Sequence, residues 1–573
     1  MSSPDNSIKR IARRLRILYS ELEATNCLAK IIILMERHSH LARQKSTQTW
    51  SEKDIVLITY SDQVRHPSLT PLQALNRFLV DNGLSSLINT IHLLPFYPFS
   101  SDDGFSVVDY RAVDPAVGTW SDVEAVHENF TLMFDLVLNH ISQRSDWFQK
   151  FCRGDPQYLD FFIEVTPEMD ISSVVRPRSF PLMHEFETSA GPKKIWTTFG
   201  RDQVDLNYKN PGVLCAMLEV LLHYVEHGAR IIRLDAVAFL WKIPGTTCLN
   251  LKQTHQVIKL YRDVLSIVAP HVILLTETNL PHEENISYFG DGDEAHMVYQ
   301  FSLPPLLADA LLQEDTRLLR RWLLYLDAPL PGTTFFNFTA SHDGIGIRPL
   351  EGLVPWERVS ALITATEKSG GRISVRRTPN ETDVPYELNV TYRDLLGTDQ
   401  DLIVDRFILS QAVMLSLAGI PGIYFHSLVG SGNDISGMEE SGIPRRINRQ
   451  KYDLDELTHT LTDKVSLQFE IFNRYRSLVY IRTQQSAFHP NGDQVVLDID
   501  NRQVLGFSRT NPDKTESIIV LYNFSCKKQT IRIKNNSKHS GTDLMTKEQV
   551  ILSNPITLAP LMFRWVKLKV PTL

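Results

Sequence analysis

The chain has 573 residues, 43% of them hydrophobic and 22% charged, with 59 Lys and Arg against 66 Asp and Glu. That composition supports a large buried core and excludes disorder, and at about 150 residues per domain it allows about three or four domains. A formal charge of −7 and a pI near 6.2 give no basis for binding nucleic acid or an anionic membrane surface.

Residues 8–34 set apolar side chains such as Ile8, Ile11, Leu15 and Leu18 between Arg and Lys at roughly helical spacing. This predicts one or two amphipathic helices on the outside of the main domain, with no signal-peptide core. From Asp54 onward short apolar runs alternate with helical patterns such as PLQALNRFLVDNG and LCAMLEVLLHYVEHG. The runs are DIVLITY (54–60), TIHLLPFY (90–97), LMFDLVLNH (132–140), ARIIRLDAV (229–237), HVILLTET (271–278), MVYQFSLP (297–304), TTFFNFTASHD (333–343) and GIPGIYFHS (419–427). Several are apolar on both faces, as strands covered on both sides must be. Eight such strands alternating with helices predict an α/β fold, a closed (β/α)8 TIM barrel. The uncharged stretch from Phe407 to Gly430 is long enough to span a membrane, but the break at Gly419-Ile420-Pro421-Gly422 makes it a core helix followed by a core strand.

Two gaps in the rhythm exceed ordinary connections. The expected division is an N-terminal helical extension (1–51), a barrel (52–140, 201–343 and 401–489), an inserted domain after strand three (141–200), an inserted loop domain after strand seven (344–400), and a C-terminal all-β domain (490–573). Cys27, Cys152, Cys215, Cys248 and Cys526 are scattered without a CxxC pair, the pattern of reduced thiols in a cytoplasmic protein and not of a disulfide framework or zinc site.

Barrel active sites form at the C-terminal ends of the strands. The expected polar residues there are Asp102 and Phe105 after strand two, His140 ending strand three, Arg233 and Asp235 ending strand four, Glu277 ending strand five, and His342 and Asp343 ending strand seven. Carboxylates converging with imidazoles and a guanidinium suit glycosyl transfer, which passes through an oxocarbenium-like state. That state needs an ionised carboxylate under the anomeric carbon and a protonated acid beside the leaving oxygen. Asp235 fits the nucleophile, because Arg233 two residues earlier shares its strand face and favours its ionised form. Glu277, after the apolar run VILLT, fits an acid/base with a raised pKa. Asp343, with His342 and His140, fits hydrogen bonding to sugar hydroxyls and stabilisation of developing positive charge.

DLVLNH, RLDAV, TETN and ASHDGIG resemble, in order, the four short conserved regions of the α-amylase superfamily (glycoside hydrolase family thirteen), over residues 52–573. SSDDGF, HDGIG and PRRINR, with RPR at 176–178, resemble its sucrose-phosphorylase subgroup. The resemblance implies Asp235 as nucleophile, Glu277 as acid/base and Asp343 as transition-state stabiliser. It also implies Asp102, His140, Arg233, His342 and Arg445 around the glucosyl ring, with Phe105 as an aromatic platform. Phe199 and Gln203 in TTFGRDQVD match positions that close the site, and Arg178 matches one lining the phosphate or acceptor side. No metal or other cofactor is implied.

The four regions alone fit a hydrolase equally well. The subgroup match implies instead a retaining phosphorylase, with a small sugar substrate and inorganic phosphate as partners and a monomer or homodimer as the assembly. Phosphate arrives ionised and needs positive charge beside three carboxylates, which Arg178 and the arginines of RISVRR can supply. The position matching the subgroup's fructose-holding Asp is Val384, which argues against sucrose. The N-terminal extension, SSDDGFSVVDY and the Arg-rich loop look closer to the glucosylglycerate phosphorylases of the subgroup. Arg372, Arg376, Arg377 and Tyr386 are then candidates for an acceptor loop that pairs with the glycerate carboxylate. Sucrose phosphorylase, glucosylglycerol phosphorylase and an α-glucosidase of the same fold are the alternatives.

Overall fold

The structure is a computed structural model that describes residues 4–43, 50–378, 382–397, 402–534 and 540–569. The apolar runs form one closed parallel barrel of β1 (Val56–Thr59), β2 (Thr90–Leu93), β3 (Thr131–Val137), β4 (Ala229–Asp235), β5 (Ile273–Thr276), β6 (Met297–Tyr299), β7 (Thr334–Phe338) and β8 (Ile420–Tyr424). Each strand pairs with its neighbours in sequence, and β8 closes on β1 from Val56↔Gly422 to Ile58↔Tyr424. Every residue of β1, β2, β5 and β7 is buried, because side chains fill the interior while helices cover the outside. At Gly422 a side chain would run into the Phe336 ring of β7, so the missing Cβ makes room for a neighbour's aromatic.

Each strand ends before its expected run does, as β8 and β3 show. After β8 the chain leaves the sheet at Phe425 for a helical turn, Phe425–Leu428, and the Phe425 ring packs 5.4 Å from that of Phe78 on the helix Pro71–Asp81. After β3, His140 opens a separate short strand, His140–Ser142, antiparallel to Gln203–Asp205.

The N-terminal segment forms α1 (Pro4–Leu18) and α2 (Glu21–Arg37), with a reciprocal Ser20–Glu23 capping box at the start of α2. Ile11 and Leu15 face inward, and buried Arg14 reaches Asp263 of the helix Lys252–Val268 at 2.6 Å and Asp293 at 3.1 Å. The Tyr19 hydroxyl donates to the Tyr208 carbonyl at 2.9 Å. Where α2 crosses the helix Pro211–Glu226, the Cys27 and Cys215 sulfurs lie 3.4 Å apart as free thiols.

Between β3 and β4, the helix Asp146–Arg153 and the hairpin Met183–Thr188/Gly191–Trp196 accompany a small core of Val165, Val174, Leu182, Trp196 and Cys248. Between β7 and β8, Ile345–Gly346, Asp383–Asn389 and Arg372–Arg377 form a three-stranded sheet beside the helix Trp356–Lys368. Residues 379–381 of the expected acceptor loop lie outside the described residues. The C-terminal region is a six-stranded antiparallel sheet with a separate two-stranded one. The Tyr522 hydroxyl anchors it to the barrel helix Ile403–Ser416, 2.7 Å from the Ser416 hydroxyl and accepting from the Trp565 indole at 2.8 Å. Among the described residues no helix is long and apolar enough to cross a membrane.

Candidate active site

The chemistry is built on a buried ionic column. His92 of β2 contacts Asp135 of β3 at 2.7 Å, and Asp135 pairs with Arg233 of β4. Arg233 in turn reaches the Asp235 carboxylate at 2.8 Å. Residues 233 and 235 share a strand face, so period-two geometry alone brings the guanidinium against the carboxylate. Ala236 then takes a left-handed conformation, φ 48°, and turns its N–H onto Glu277 Oε2 at 2.9 Å. Glu277 itself follows β5, its N–H bonded to the Leu234 carbonyl at 3.1 Å. Two carboxyl groups from adjacent strand ends are thus tied together at the barrel mouth.

Asp343 lies five residues beyond the end of β7 and is held by cations. Arg445 Nη1 is 2.5 Å from its Oδ1, while the other edge of that guanidinium makes two bonds, 2.9 and 2.7 Å, to Glu387. Arg449 donates to the His342 carbonyl at 2.8 Å and pairs with Asp103 at 2.7 Å. The loop after β2 carries left-handed φ values at Asp102 (52°) and Asp103 (49°). Gly104 has φ 110°, and a Cβ there would sit 2.6 Å from the Pro95 carbonyl oxygen. Such strain persists only where the surroundings over-determine it, and here it aims Asp102 into the cavity while Asp103 turns to Arg446 and Arg449.

The remaining ring of the site is aromatic and amide. Phe105 stacks on His342 with centroids 4.7 Å apart and an interplanar angle of 4°. His140 Nε2 lies 2.9 Å from the Phe105 carbonyl, and the Gln203 amide donates to the same carbonyl at 3.2 Å and to Asp102 at 3.3 Å. Phe199 packs between His140 and Phe239 at 5.1 and 5.3 Å. Behind His140, Lys242 makes a buried contact with Asp205 at 2.6 Å and with Asn139 at 2.7 Å.

Burial and charge set the carboxyl groups apart. Burial pushes Glu277 up, Asp343 adding to it, against the pull of Arg233. Burial also pushes Asp235 up, with Glu277, Asp135 and Asp343 adding to it against the pull of Arg233, so both members of the Asp235–Glu277 pair are raised together. The guanidinium was expected to keep Asp235 ionised; it faces the carboxylate as expected, but burial is the larger effect. Asp343 is the opposite case: burial favours its neutral form, yet Arg445, His342, Arg449 and Arg233 together hold it far below the usual carboxylate range. Asp102 is lowered in the same way by Arg445, Arg449 and Arg178 against burial. Burial pushes His342 down to about 3, so it is a neutral hydrogen-bonding group.

One cavity collects the sequence-predicted residues Asp102, Phe105, His140, Arg178, Phe199 and Gln203 with Asp235, Glu277, His342, Asp343, Tyr386 and Arg445. Arg233 lies beneath it. Arg372, Arg376 and Arg377 are not brought to it. Arg372 donates to the Gly370 and Gly371 carbonyls, Arg376 pairs with Glu351 at 3.2 Å, and Arg377 with Asp383 at 2.6 Å. The expectation that they face the acceptor is therefore corrected: their hairpin neutralises itself, and Val384, opposite Arg376 in the register, lies away from the cavity too. In their place the cavity is lined by Arg348 and Asn279, neither of which the sequence singled out. Asp103, Asp135, Glu387 and Arg449 were also missed. Asp135 had a readable signal, being the one charge within LMFDLVL. Among the described residues no group of three or more His, Cys, Asp or Glu is placed to hold a metal ion.

Residues 85–321 match the model of the alpha amylase catalytic domain. The chain is 50% identical to the glucosylglycerate phosphorylase of Spirochaeta thermophila over 82% of this chain and 80% of that protein. It is 43% identical to that of Escherichia coli over 94% and 96%. The structure of sucrose 6F-phosphate phosphorylase from Thermoanaerobacter thermosaccharolyticum superposes with a TM-score of 0.74 at 24% identity, covering 88% of this chain and 99% of that one, and shares the fold. The chain belongs to the α-amylase family, in the branch of the glucosylglycerate phosphorylases.

Proposed function

We propose that this protein is a retaining glycoside phosphorylase that moves the α-glucosyl group of 2-O-α-glucosylglycerate to inorganic phosphate, releasing glycerate and α-glucose 1-phosphate reversibly. The observation that carries it is the Asp235–Glu277 pair joined through Ala236 at the floor of a cavity that also holds Arg178. Relatives at 43–50% identity that bear the glucosylglycerate phosphorylase name support the substrate.

Asp235 attacks the anomeric carbon while Glu277 gives its proton to the departing glycerate oxygen, leaving a glucosyl ester on Asp235. As the ring flattens, ionised Asp343, fixed by Arg445, stabilises the positive charge. Asp102, His140, His342 and Gln203 hold the ring hydroxyls, and Phe105 stacks beside the ring. Phosphate, already anionic and drawn by Arg178 and the Tyr386 hydroxyl, then attacks the anomeric carbon from the face the glycerate left, displacing the Asp235 carboxylate and returning a proton to Glu277, and two inversions return the α anomer. The test incubates the purified protein with glucosylglycerate, with and without phosphate. Glucose 1-phosphate and glycerate are expected only when phosphate is present. Free glucose forming equally fast without phosphate would make the enzyme a hydrolase.

A further inference from the structure

The cations around the cavity are not equivalent. Arg233, Arg445 and Arg449 are each committed to carboxylates of the protein. Among the described residues no carboxylate lies in ion-pair range of Arg348, and its Nε is buried without a hydrogen-bond partner. A guanidinium left so beside an active site is short of an anion. Its position shows which one. Arg348 follows Ile347, whose N–H donates to the Tyr386 carbonyl at 3.0 Å. The Tyr386 hydroxyl accepts from Asn279 at 3.4 Å, and Asn279 stands two residues beyond Glu277. Gly346 lets Asn279 approach, since a Cβ there would lie 2.6 Å from Asn279 Oδ1. That oxygen is also buried without a donor. On the Glu277 side of the cavity, where the leaving group departs, the protein therefore offers an unpaired guanidinium fork and an unpaired amide oxygen.

We infer that Arg348 and Asn279 form the acceptor subsite, Arg348 taking the carboxylate of a small hydroxy acid and Asn279 a hydroxyl of the same molecule. This rests on the phosphorylase reading above and adds to it the residues that select an acid over a neutral polyol. Arg178, which feels Asp102 and Tyr386, remains with phosphate. The division is chemically sensible, because glycerate and phosphate visit the glucosylated enzyme in turn and each needs a cation when it does.

The experiment loads the enzyme from α-glucosyl fluoride, which brings no phosphate, and offers glycerate, glycerol or phosphate as acceptor. Wild type is expected to prefer glycerate to glycerol. In Arg348→Gln the glycerate-to-glycerol ratio of kcat/KM should fall about 10- to 100-fold, the range for losing a hydrogen bond to a charged group. The glycerate-to-phosphate ratio should fall with it. Arg348→Lys should recover part of the preference, keeping the charge but losing the fork. Should Arg348→Gln fail to fold, wild type itself provides the readout: neutral glyceramide should be used no better than glycerol. Ratios unchanged in Arg348→Gln, or phosphate use falling in step with glycerate, would overturn the assignment while leaving the phosphorylase intact. A wild type that does not prefer glycerate to glycerol would overturn both the acceptor reading and this subsite.

Discussion

Replacing Glu387 by Gln keeps the shape of a side chain that is 1% exposed and removes the charge that fixes Arg445. Glu387 accepts three hydrogen bonds, from Arg445 Nε at 2.9 Å, from Arg445 Nη2 at 2.7 Å and from the Gly344 N–H at 2.5 Å. The glutamine oxygen can keep one side of this set, while its NH2 must face a donor. Breaking one partner of a buried ion pair costs about 3–5 kcal/mol of stability, so Tm should fall by several degrees. In the proposed mechanism Glu387 touches no reacting atom and acts through Arg445 on Asp343, which Arg445 holds at 2.5 Å. Losing that placement in the transition state should cost about 1.5–3 kcal/mol, or about 10- to 100-fold in kcat, with KM changing less. The assay is α-glucosyl fluoride turnover with phosphate beside a thermal melt, and Glu387→Asp should recover part of both. Unchanged kcat and Tm in Glu387→Gln would refute the idea that the Glu387–Arg445–Asp343 chain positions the stabilising carboxylate.

In the proposed mechanism Asp235→Asn removes the covalent step, so turnover should fall by several orders of magnitude while the melt stays cooperative; near-normal turnover would disprove the assignment. Glu277→Gln should lose far more activity on glucosylglycerate than on glucosyl fluoride, whose leaving group needs little protonation, and equal losses would exclude Glu277 as the acid. Folding should weaken in mild acid. Burial pushes His342 and His426 down to about 3, so between about pH 6.5 and 3 the unfolded chain binds more protons than the folded one, and stability falls as pH drops through that window. His426 contacts Ser431 away from the reacting groups, so His426→Gln should flatten the Tm–pH curve between pH 7 and 5 relative to wild type; a wild-type Tm that rises on acidification would contradict this.

The barrel was legible because each strand must be apolar on both faces, and ILLT or TFFNF can be buried in no simpler way. Asp235 and Glu277 were legible as candidates because they stand at the very end of such runs, where a charge has no packing purpose, and Asp343, five residues past TFFNF, because it sits beside His342 in ASHDGIG. The acceptor side was not. Arg376 and Arg377 are conspicuous in sequence, yet an antiparallel hairpin brings Asp383 across to Arg377, and the preceding turn brings Glu351 to Arg376. Arg348 is inconspicuous in GIGIRPLEG, and only the pairing of Ile345–Gly346 with Glu387–Leu388 carries it to the cavity. Glu387 was hidden for the same reason: its partner Arg445 is 58 residues away and on another element. Local spacing reveals what one strand aims at the barrel mouth, whereas ion pairs between insertions depend on how the insertions fold back.

The double displacement is tested most directly by loading Glu277→Gln with α-glucosyl fluoride, mapping the quenched protein by peptide mass spectrometry, and then adding phosphate to an unquenched sample. A single glucosyl ester should map to Asp235, and phosphate should discharge it as α-glucose 1-phosphate, the anomer read by NMR. An ester on another residue, no ester at all, or the β-phosphate as first product would contradict it.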